Sequence, residues 1–412
     1  MAIVLAVAFL TNFAYLIFSS GDFYYPDSFT YLAPARSLLR GAGLLNASNL
    51  VDSLRTPGYP LLLALFGART LPVIILQHLL NVGLAIAIYV FTAARIDRWT
   101  ALVASLLFAI DVPTIHYANK LLTETVFTAL LYVIFVLTAA YVGPPPSAAG
   151  RRGRRPYNAI ALLTGMLVMV RPIALFFFVA NAVVLAIWRV SARQMASYVI
   201  LALLLPIGWA ARNKVQTGVF TVSAIGGINL LTHRAAGALA IEDAGDNFKK
   251  DLADEQSGLS EDADDELQTK LHVEDAQDLP ESMRASYYEK VAWRVIRQHP
   301  VALLQLTIRG VLVNLFDSDW DAVAEISTIS PEVLRVALGA IPLIIFVFAT
   351  IGGIALWKSD RALALLIAIT VAYFIGISAG GEAESRFRVP VVPELAIAAA
   401  AGVAAVRRGL AV

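Results

Sequence analysis

The residue best suited to acid–base chemistry is Asp27, in the segment Tyr24-Tyr25-Pro26-Asp27-Ser28 directly after the first apolar run. A carboxylate there is ionised at neutral pH and could act as a general base toward a substrate hydroxyl at the membrane boundary. The alternative is a capping role, because Asp-Ser suits the start of a helix over residues 28–40. Apolar residues at helical spacing predict that this helix lies on the membrane surface.

A second candidate is Arg55, at the mouth of the turn Arg55-Thr56-Pro57-Gly58-Tyr59-Pro60. Two prolines and a glycine fix this turn directly before an apolar segment. A rigidly held guanidinium could grip a phosphate through two parallel hydrogen bonds. The alternative is an arginine that snorkels to the lipid headgroups. We include Tyr59 of the same turn among the candidate substrate contacts.

The third candidate cluster runs from His116 to Glu124 and joins two apolar runs. Helical spacing would put Glu124 one turn after Lys120, so Lys120 could contact a phosphate while Glu124 orients it. Ionisable groups at membrane depth tend to face cavities, which favours a catalytic use of Glu124 over a local salt bridge. Asp111 is similarly placed but could simply accept a hydrogen bond in a kinked helix.

Three further arginines are expected on the same side of the membrane. Arg171, before Pro172, interrupts a long apolar run and predicts a tight reversal there. Arg386 and Arg388 precede the last apolar run and could bind a lipid phosphate. Anchoring by ordinary phospholipid headgroups is the alternative for the last two.

No cofactor is assigned from the sequence. The chain has no cysteine, which excludes disulfides and thiolate ligands. The run Asp317-Ser318-Asp319-Trp320-Asp321 could bind a divalent cation if the backbone turned, and a solvated acidic linker is the alternative. His233, His272 and His299 lack the spacing of a zinc site.

The elements that must position these residues are membrane helices. The 412 residues are 58% hydrophobic with a mean hydropathy of +0.70, and the net charge of +1 gives no basic field for nucleic acid. Apolar runs of roughly 17 to 25 residues can cross a bilayer, and about ten are present. They cover residues 2–19, 71–94, 99–117, 120–142, 157–171, 172–188, 195–211, 333–357, 361–379 and 389–406. The predicted fold class is therefore an all-α polytopic membrane protein with amphipathic helices in its outer loops.

Positive charges in short connections predict the orientation. Clusters near 95–98, 151–155, 189–193, 358–361 and 407–408 all fall on one side if ten helices alternate. That side is the cytoplasm by the positive-inside rule. The multi-pass protein would then lie in the inner (cytoplasmic) membrane, with both termini inside and the candidate residues facing the exterior. The first run, which lacks a signal-peptide cleavage site, is expected to remain as a helix.

These elements divide the chain into three predicted parts. Residues 1–211 form an N-terminal transmembrane module with a first outer loop at 20–70, and residues 333–412 form C-terminal transmembrane helices. Residues 212–332 form an outer region. Within it, Glu242 to Glu281 contains fifteen acidic residues, which predicts mobility. Beyond that stretch, Met283, Tyr287, Val291 and Val295 predict a surface helix.

Taken in order, several motifs resemble the polytopic GT-C glycosyltransferases, in the branch of aminoarabinose transferases and protein O-mannosyltransferases. The matching pieces are Pro26-Asp27 followed by Tyr31, residues 55–60, Leu122-Thr123-Glu124, residues 287–300 and Arg388-Val389-Pro390. The resemblance implies that Asp27 is the catalytic base, that basic residues hold a polyprenyl-phosphate sugar donor, and that a lipid, glycan or protein hydroxyl accepts the sugar with inversion. Many members have Asp-Glu where this chain has Asp27-Ser28, so the duty of a second carboxylate is unfilled or moves to Asp111 or Glu124.

Two other classes of function fit parts of the same pattern. A lipid or glycolipid transporter, or flippase, would use the same cations for binding without chemistry, but paired broken helices at midplane depth are not evident in the sequence. A membrane scaffold would bind partners through the acidic loop and would leave Asp27 as a helix cap.

Overall fold

The computed structural model describes residues 1–19, 21–142, 157–188, 190–243, 247–324 and 329–409. The predicted basic cluster at 151–155 and Arg189 lie outside these residues. The described chain is helical throughout, and its one β contact there is an isolated bridge between Leu45 and Val51. The predicted all-α class is confirmed.

The apolar helices reproduce the predicted spans. Six helices among the described residues are long and apolar enough to cross a membrane, a bent pair makes a seventh span, and four shorter apolar helices match the remaining runs. In chain order the helices of the N-terminal part are α1 (Ala2–Phe18), α2 (Ser28–Leu39), α3 (Gly58–Leu65), α4 (Thr70–Arg95), α5 (Arg98–Ala109), α6 (Val112–Ala118), α7 (Glu124–Val142), α8 (Tyr157–Val170), α9 (Phe177–Ile187) and α10 (Ala192–Thr217).

Nine further α-helices lie in the described residues after Thr217. They are α11 (Ile225–Asn229), α12 (Ala236–Glu242), α13 (Phe248–Leu271), α14 (Glu281–Gln298), α15 (Pro300–Phe316), α16 (Trp320–Ala324), α17 (Pro331–Ser359), α18 (Arg361–Ile377) and α19 (Val392–Arg407), with a π-helical segment Leu230–Ala235 between α11 and α12. The segment Pro300–Ala324 also meets the length and hydropathy of a membrane span, which was not counted from the sequence because Arg309 and Asn314 interrupt it.

A sharp bend separates α5 from α6. The two helices meet at 53°. Asp111 begins α6 and accepts hydrogen bonds from the backbone N–H and the hydroxyl of Thr114. Asp111 therefore caps the second helix of the bent pair, and a catalytic use of it stays a prediction.

Helix α19 is the central helix of the bundle, and its alanine-rich sequence allows close packing. A Cβ at Gly352 of α17 would collide with the carbonyl oxygen of Ala398, and one at Gly402 would collide with that of Phe348. Glycines on both helices therefore let the backbones touch, as is common between membrane helices.

Residues Phe248–Leu271 of the acidic stretch form the packed helix α13, and the mobility of the stretch stays a prediction. Helix α13 buries Leu252, Ala263 and Leu267 against its neighbours. Arg284 of α14 pairs with Asp264 at 2.7 Å and ties the two helices together. The acidic residues dominate the composition, but a sparse apolar stripe at helical spacing is enough to dock the helix.

Ion pairs mark the two ends of the bundle. Arg95 pairs with Asp360 at 2.7 Å and Asp97 with Arg408 at 2.6 Å, which joins three predicted cytoplasmic connections at one end. The first outer loop and the connections before α7, α9 and α19 meet at the other end.

Candidate active site

Asp27 lies at the end of the bundle opposite the Arg95–Asp360 and Asp97–Arg408 ion pairs and faces two arginines. It occupies the position before α2, but its side chain makes no capping hydrogen bond. Instead its two carboxylate oxygens pair with Arg55 Nη2 at 2.8 Å and Arg386 Nη1 at 3.2 Å. Burial alone would raise the pKa of Asp27, but the charges of Arg55 and Arg386 outweigh it and lower the pKa below its ordinary value. The carboxylate is thus ionised over the physiological range.

The turn at residues 55–60 holds Arg55 firmly. Its Nε donates to Thr30 Oγ1 at 2.9 Å, and the guanidinium stacks 4.8 Å from the centre of the Tyr31 ring. Gly58 makes the close approach of the turn to α8 feasible, since a Cβ there would lie 2.6 Å from the Met169 carbonyl oxygen. Arg55 is largely buried, and both its Nε and its Nη2 bond to protein groups, unlike the exposed guanidinium of an arginine that snorkels to headgroups.

Arg386 is the hub of the site. It pairs with Asp27, with Glu124 at 3.3 Å and with Glu384 at 2.9 Å. Glu124, of which only 2% of the side chain is exposed, also pairs with Arg171 at 3.1 Å. Four parts of the chain that are distant in sequence therefore meet in one network of charges.

This network borders a cavity of about 470 Å³. Arg234 adds a further cation, which pairs with Glu382 at 3.4 Å and donates to the Ile377 carbonyl at 2.8 Å. Charged, polar and apolar side chains all line the cavity. The ionisable and hydroxyl groups include Asp27, Tyr31, Arg55, Glu124, Arg171, Thr221, Ser223, His233, Arg234, Glu382 and Arg386, and the apolar residues include Leu175, Phe176, Val222, Ile225 and Leu230.

Sequence reasoning missed His233 and Arg234 as cavity residues. Both belong to the π-helical segment Leu230–Ala235, a distortion often found at functional sites. Burial lowers the pKa of His233 below its ordinary value, so the imidazole is neutral at pH 7. Neither residue carried a sequence signal, because a π-turn has no recognisable spacing and His233 matched no metal motif.

Lys120 and His116 line a different cavity. Lys120 pairs with Asp22 rather than with Glu124, because α7 begins at Glu124 and the two residues do not share a helix. His116 Nδ1 lies 2.7 Å from the hydroxyl of Tyr15. Both residues line a neighbouring cavity of about 1080 Å³. The predicted Lys120–Glu124 pair is therefore wrong.

Tyr59 and Arg388 lie outside the cavity beside Asp27, and other parts of the fold bind their side chains. Tyr59 is fully buried and donates to Gln77 Oε1 at 2.6 Å. Arg388 Nη1 donates to the carbonyl oxygens of Asn314, Leu315 and Asp317 at 3.2, 2.8 and 2.8 Å, which satisfies the end of α15. Neither residue lines the cavity beside Asp27, and their substrate-binding roles stay predictions.

The proposed metal ligands do not converge. Among the described residues, no group of three or more His, Asp or Glu side chains is close enough to hold one ion. Asp317 instead accepts a hydrogen bond from the Ser385 backbone N–H at 3.1 Å, and Tyr117 lies 3.5 Å from Asp319. The side chain of His299 lies 2.6 Å from that of Glu242.

These features define a multi-pass, all-α membrane protein of the GT-C glycosyltransferase fold. The archaeal oligosaccharyltransferase AglB of Archaeoglobus fulgidus, solved with an inhibitory peptide and a dolichol-phosphate, matches 99% of this chain over 51% of its own length, with 13% identity and a TM-score of 0.50. An Archaeoglobus fulgidus oligosaccharyltransferase in the apo form matches 99% of this chain over 50% of its own length, with 13% identity and a TM-score of 0.50. ArnT of Cupriavidus metallidurans bound to undecaprenyl phosphate matches 96% of this chain and 77% of its own, with 14% identity and a TM-score of 0.40.

The chain therefore spans about half the length of AglB. No protein-family model matches the chain, and no curated protein matches it in sequence. At this identity the structural likeness defines the fold, and the site residues have to be argued from their own geometry.

Proposed function

We propose that this protein is an inverting glycosyltransferase that moves a sugar from a polyprenyl-phosphate donor to an acceptor hydroxyl. The observation that carries the proposal is the ionised Asp27 carboxylate placed against Arg55 and Arg386 in a cavity that charged and apolar residues line together. The GT-C fold supports it, as does the dolichol-phosphate in the AglB structure. The acceptor is a lipid, glycan or protein.

The chemistry follows from the charges around the cavity. The acceptor oxygen forms a bond to the anomeric carbon, the bond from that carbon to the phosphate oxygen breaks, and the acceptor proton passes to Asp27. Arg55, Arg171 and Arg234 border the space where negative charge develops on the leaving polyprenyl phosphate. A single displacement of this kind inverts the anomeric carbon.

Asp27 and Glu124 have different proposed roles. Asp27 is about one-third exposed and can reach a substrate, whereas Glu124 is enclosed between Arg171 and Arg386. Glu124 therefore orients the arginines, and Asp27 takes the proton. None of the proposed steps uses a bound metal ion.

The test is transfer of radiolabelled sugar from undecaprenyl-phosphate sugars by the purified protein, with a membrane lipid extract as acceptor. A general base contributes roughly a hundredfold or more, so Asp27→Asn should lower the rate by about that factor. Asp262→Asn, the same change on the exposed face of α13, is the control and should keep the wild-type rate. Equal transfer by wild type and Asp27→Asn would refute the assignment of the base.

We also propose that the cavity opens on the exterior face of the cytoplasmic membrane. The support is the positive-inside pattern together with the two arginine-rich ion pairs at the opposite end of the bundle. Because the chain lacks cysteine, Ser48→Cys and Ser359→Cys each introduce a unique thiol at an exposed position. An impermeant maleimide should label only Ser48→Cys in intact cells; the reverse pattern would overturn the orientation.

A further inference from the structure

One segment that lines the candidate active-site cavity carries no charge. It covers residues 221–230, all of which are uncharged, and Thr221, Gly226 and Asn229 are among those that line the cavity. Ser223 Oγ in the same segment donates to the carbonyl oxygen of Leu54. The uncharged segment therefore begins beside residue 55, the arginine that pairs with the proposed base.

The helical part of the uncharged segment presents one face to the cavity. Ile225, Asn229 and His233 recur at four-residue intervals among the residues that line it. Residues with that spacing lie on the same side of a helix. Another side of the helix packs closely on α14, where a Cβ at Gly227 would lie 2.3 Å from the Ala285 carbonyl oxygen. This packing fixes the direction in which Asn229 points.

Asn229 offers a free amide to the cavity. The residue is partly buried, its side chain makes no hydrogen bond to any described residue, and neither of its amide atoms is fully buried. A side-chain amide combines an NH₂ donor with a carbonyl acceptor. It can therefore bind two neighbouring hydroxyls at once, donating to one and accepting from the other. Adjacent hydroxyls of this kind are typical of sugar rings.

Gly226, one turn before Asn229, leaves open space in the cavity. A Cβ built on Gly226 would have no heavy atom within 4 Å, unlike one on the neighbouring Gly227. The φ angle of Gly226 is not positive either, so neither packing nor backbone conformation requires a glycine there. A glycine inside a helix is less favourable than an alanine. Space for a ligand beside Asn229 explains its presence.

The charges that line the cavity match a donor whose sugar is neutral. Four arginines and three carboxylates line it, which gives a net charge of +1 with His233 neutral. The phosphodiester of a polyprenyl-phosphate sugar carries one negative charge, which balances this excess. An amine or a carboxylate on the sugar would add a further charge beside the uncharged segment, where it would be left without a partner at a cost in affinity.

We propose that the donor carries a neutral sugar, that the Asn229 amide binds two adjacent hydroxyls of this sugar, and that Gly226 leaves room for its ring. The inference rests on the proposed transferase function, because it names the substrate class of the same site. Asn229 is then a specificity-determining residue, and the arginines keep the phosphate.

The first test compares two lipids that differ only in the sugar. Titration calorimetry in detergent, without acceptor, measures the binding of undecaprenyl-phosphate glucose and of undecaprenyl phosphate. A net hydrogen bond is worth about fivefold in affinity, so the loss of two in Asn229→Ala should weaken binding of the glucose lipid by roughly twenty-five-fold. Binding of undecaprenyl phosphate should not change. The control Asn158→Ala, on the exposed face of α8, should change neither affinity.

A second variant tests the open space. Gly226→Leu should weaken binding of the glucose lipid by at least about tenfold, because the new side chain occupies the place of the ring, and should leave undecaprenyl phosphate unaffected. Gly208→Leu is the matched control. Gly208 lies in α10 with equally open surroundings but does not line the cavity, so its replacement should leave both affinities unchanged.

The choice of a neutral sugar is tested by adding a charge at the same position. At about pH 6, where a sugar amine is protonated, the wild type should bind undecaprenyl-phosphate glucose more tightly than undecaprenyl-phosphate glucosamine. Asn229→Asp keeps the shape and adds a carboxylate that can bind the amine. It should shift the ratio of the two affinities toward glucosamine by at least about tenfold.

The outcomes separate this inference from the transferase proposal. Equal weakening of both lipids by Asn229→Ala, unchanged binding of the glucose lipid in that variant, or a wild-type preference for the glucosamine lipid would each overturn the inference. If the protein still transfers sugar in those cases, the transferase proposal stands. A sugar-dependent effect of Asn229→Ala in a protein that never cleaves a donor would keep the sugar site and refute the transferase.

Discussion

Glu124 offers a quantitative test of the charge network, because it is buried between two arginines. Its Oε1 lies 3.1 Å from Arg171 and 3.3 Å from Arg386. We expect Glu124→Gln, which keeps the shape and removes the charge, to lower the free energy of unfolding substantially. Arg386 keeps Asp27 and Glu384 as partners, whereas Arg171 loses the carboxylate it is paired with.

The size of the effect follows from these distances. At an effective dielectric constant of about 20, charges about 3 Å apart attract by roughly 5 kcal/mol, and the cost of desolvation offsets much of that. Removing one member of a buried pair typically costs about 3 to 5 kcal/mol, because the other charge stays buried. We take the lower value, about 3 kcal/mol, since Arg386 remains paired.

A double-mutant cycle isolates the pair itself. In the Glu124→Gln background, Arg171→Met should cost much less than it does in the wild type, with a coupling of about 2 kcal/mol. The assay is equilibrium unfolding in mixed micelles, followed by tryptophan fluorescence. A matched exposed pair, Asp97 with Arg408, should show a coupling below about 1 kcal/mol.

The cycle also has a refuting outcome. If Arg171→Met is equally costly in both backgrounds, the two side chains do not interact, and the network built on Arg386 is wrong.

Three shorter predictions follow from other sites. Burial, together with repulsion from Glu281, raises the pKa of Asp52 to about 7, so the stability it contributes is fully present below the unfolded pKa of about 4 and is lost as the pH rises from there through the folded pKa of about 7. Asp52→Asn should therefore raise the melting temperature at pH 8.5 relative to wild type and raise it less at pH 5, as a melting series would measure. Gly58→Ala should destabilise by about 1 to 3 kcal/mol because its Cβ meets the Met169 carbonyl, whereas Gly208→Ala, with open space around it, should be neutral or stabilising in the same unfolding assay. The lowered pKa of Asp27 means that the base stays ionised, so the transfer rate should be flat between pH 8 and about pH 5. A midpoint near pH 6 in the rate profile would point to a different base.

Hydropathy predicted the membrane helices well because the bilayer imposes one length and one kind of surface on every span. Hydropathy did not predict α13, because its apolar residues form a narrow stripe among many charged ones. This stripe includes Leu252, Ala263 and Leu267. Helix α14 was predicted, and Val291 of the stripe through Met283 is buried, but so are Ala285, Tyr288 and Ala292, which the stripe does not include. Different faces of α14 pack against different neighbouring elements. The sequence does not indicate which face contacts which element.

The sequence predicted the position of a site residue where that position depends on the membrane boundary. Asp27, Arg55 and Arg386 were expected at one end of the bundle, and they meet there. Their pairing was not predictable, because it depends on how connections hundreds of residues apart pack together. Arg388 illustrates the limit: it is two residues from Arg386, yet it serves the backbone of α15.

The most direct test of the account asks whether the donor is cleaved or merely moved. Wild-type protein and Asp27→Asn are reconstituted in vesicles with a radiolabelled undecaprenyl-phosphate sugar and a lipid extract as acceptor. The account predicts that wild type releases one undecaprenyl monophosphate for each sugar transferred, and that Asp27→Asn loses both products together. Intact donor that crosses the bilayer at the same rate with either protein, with no undecaprenyl monophosphate formed, would contradict the account and identify a transporter.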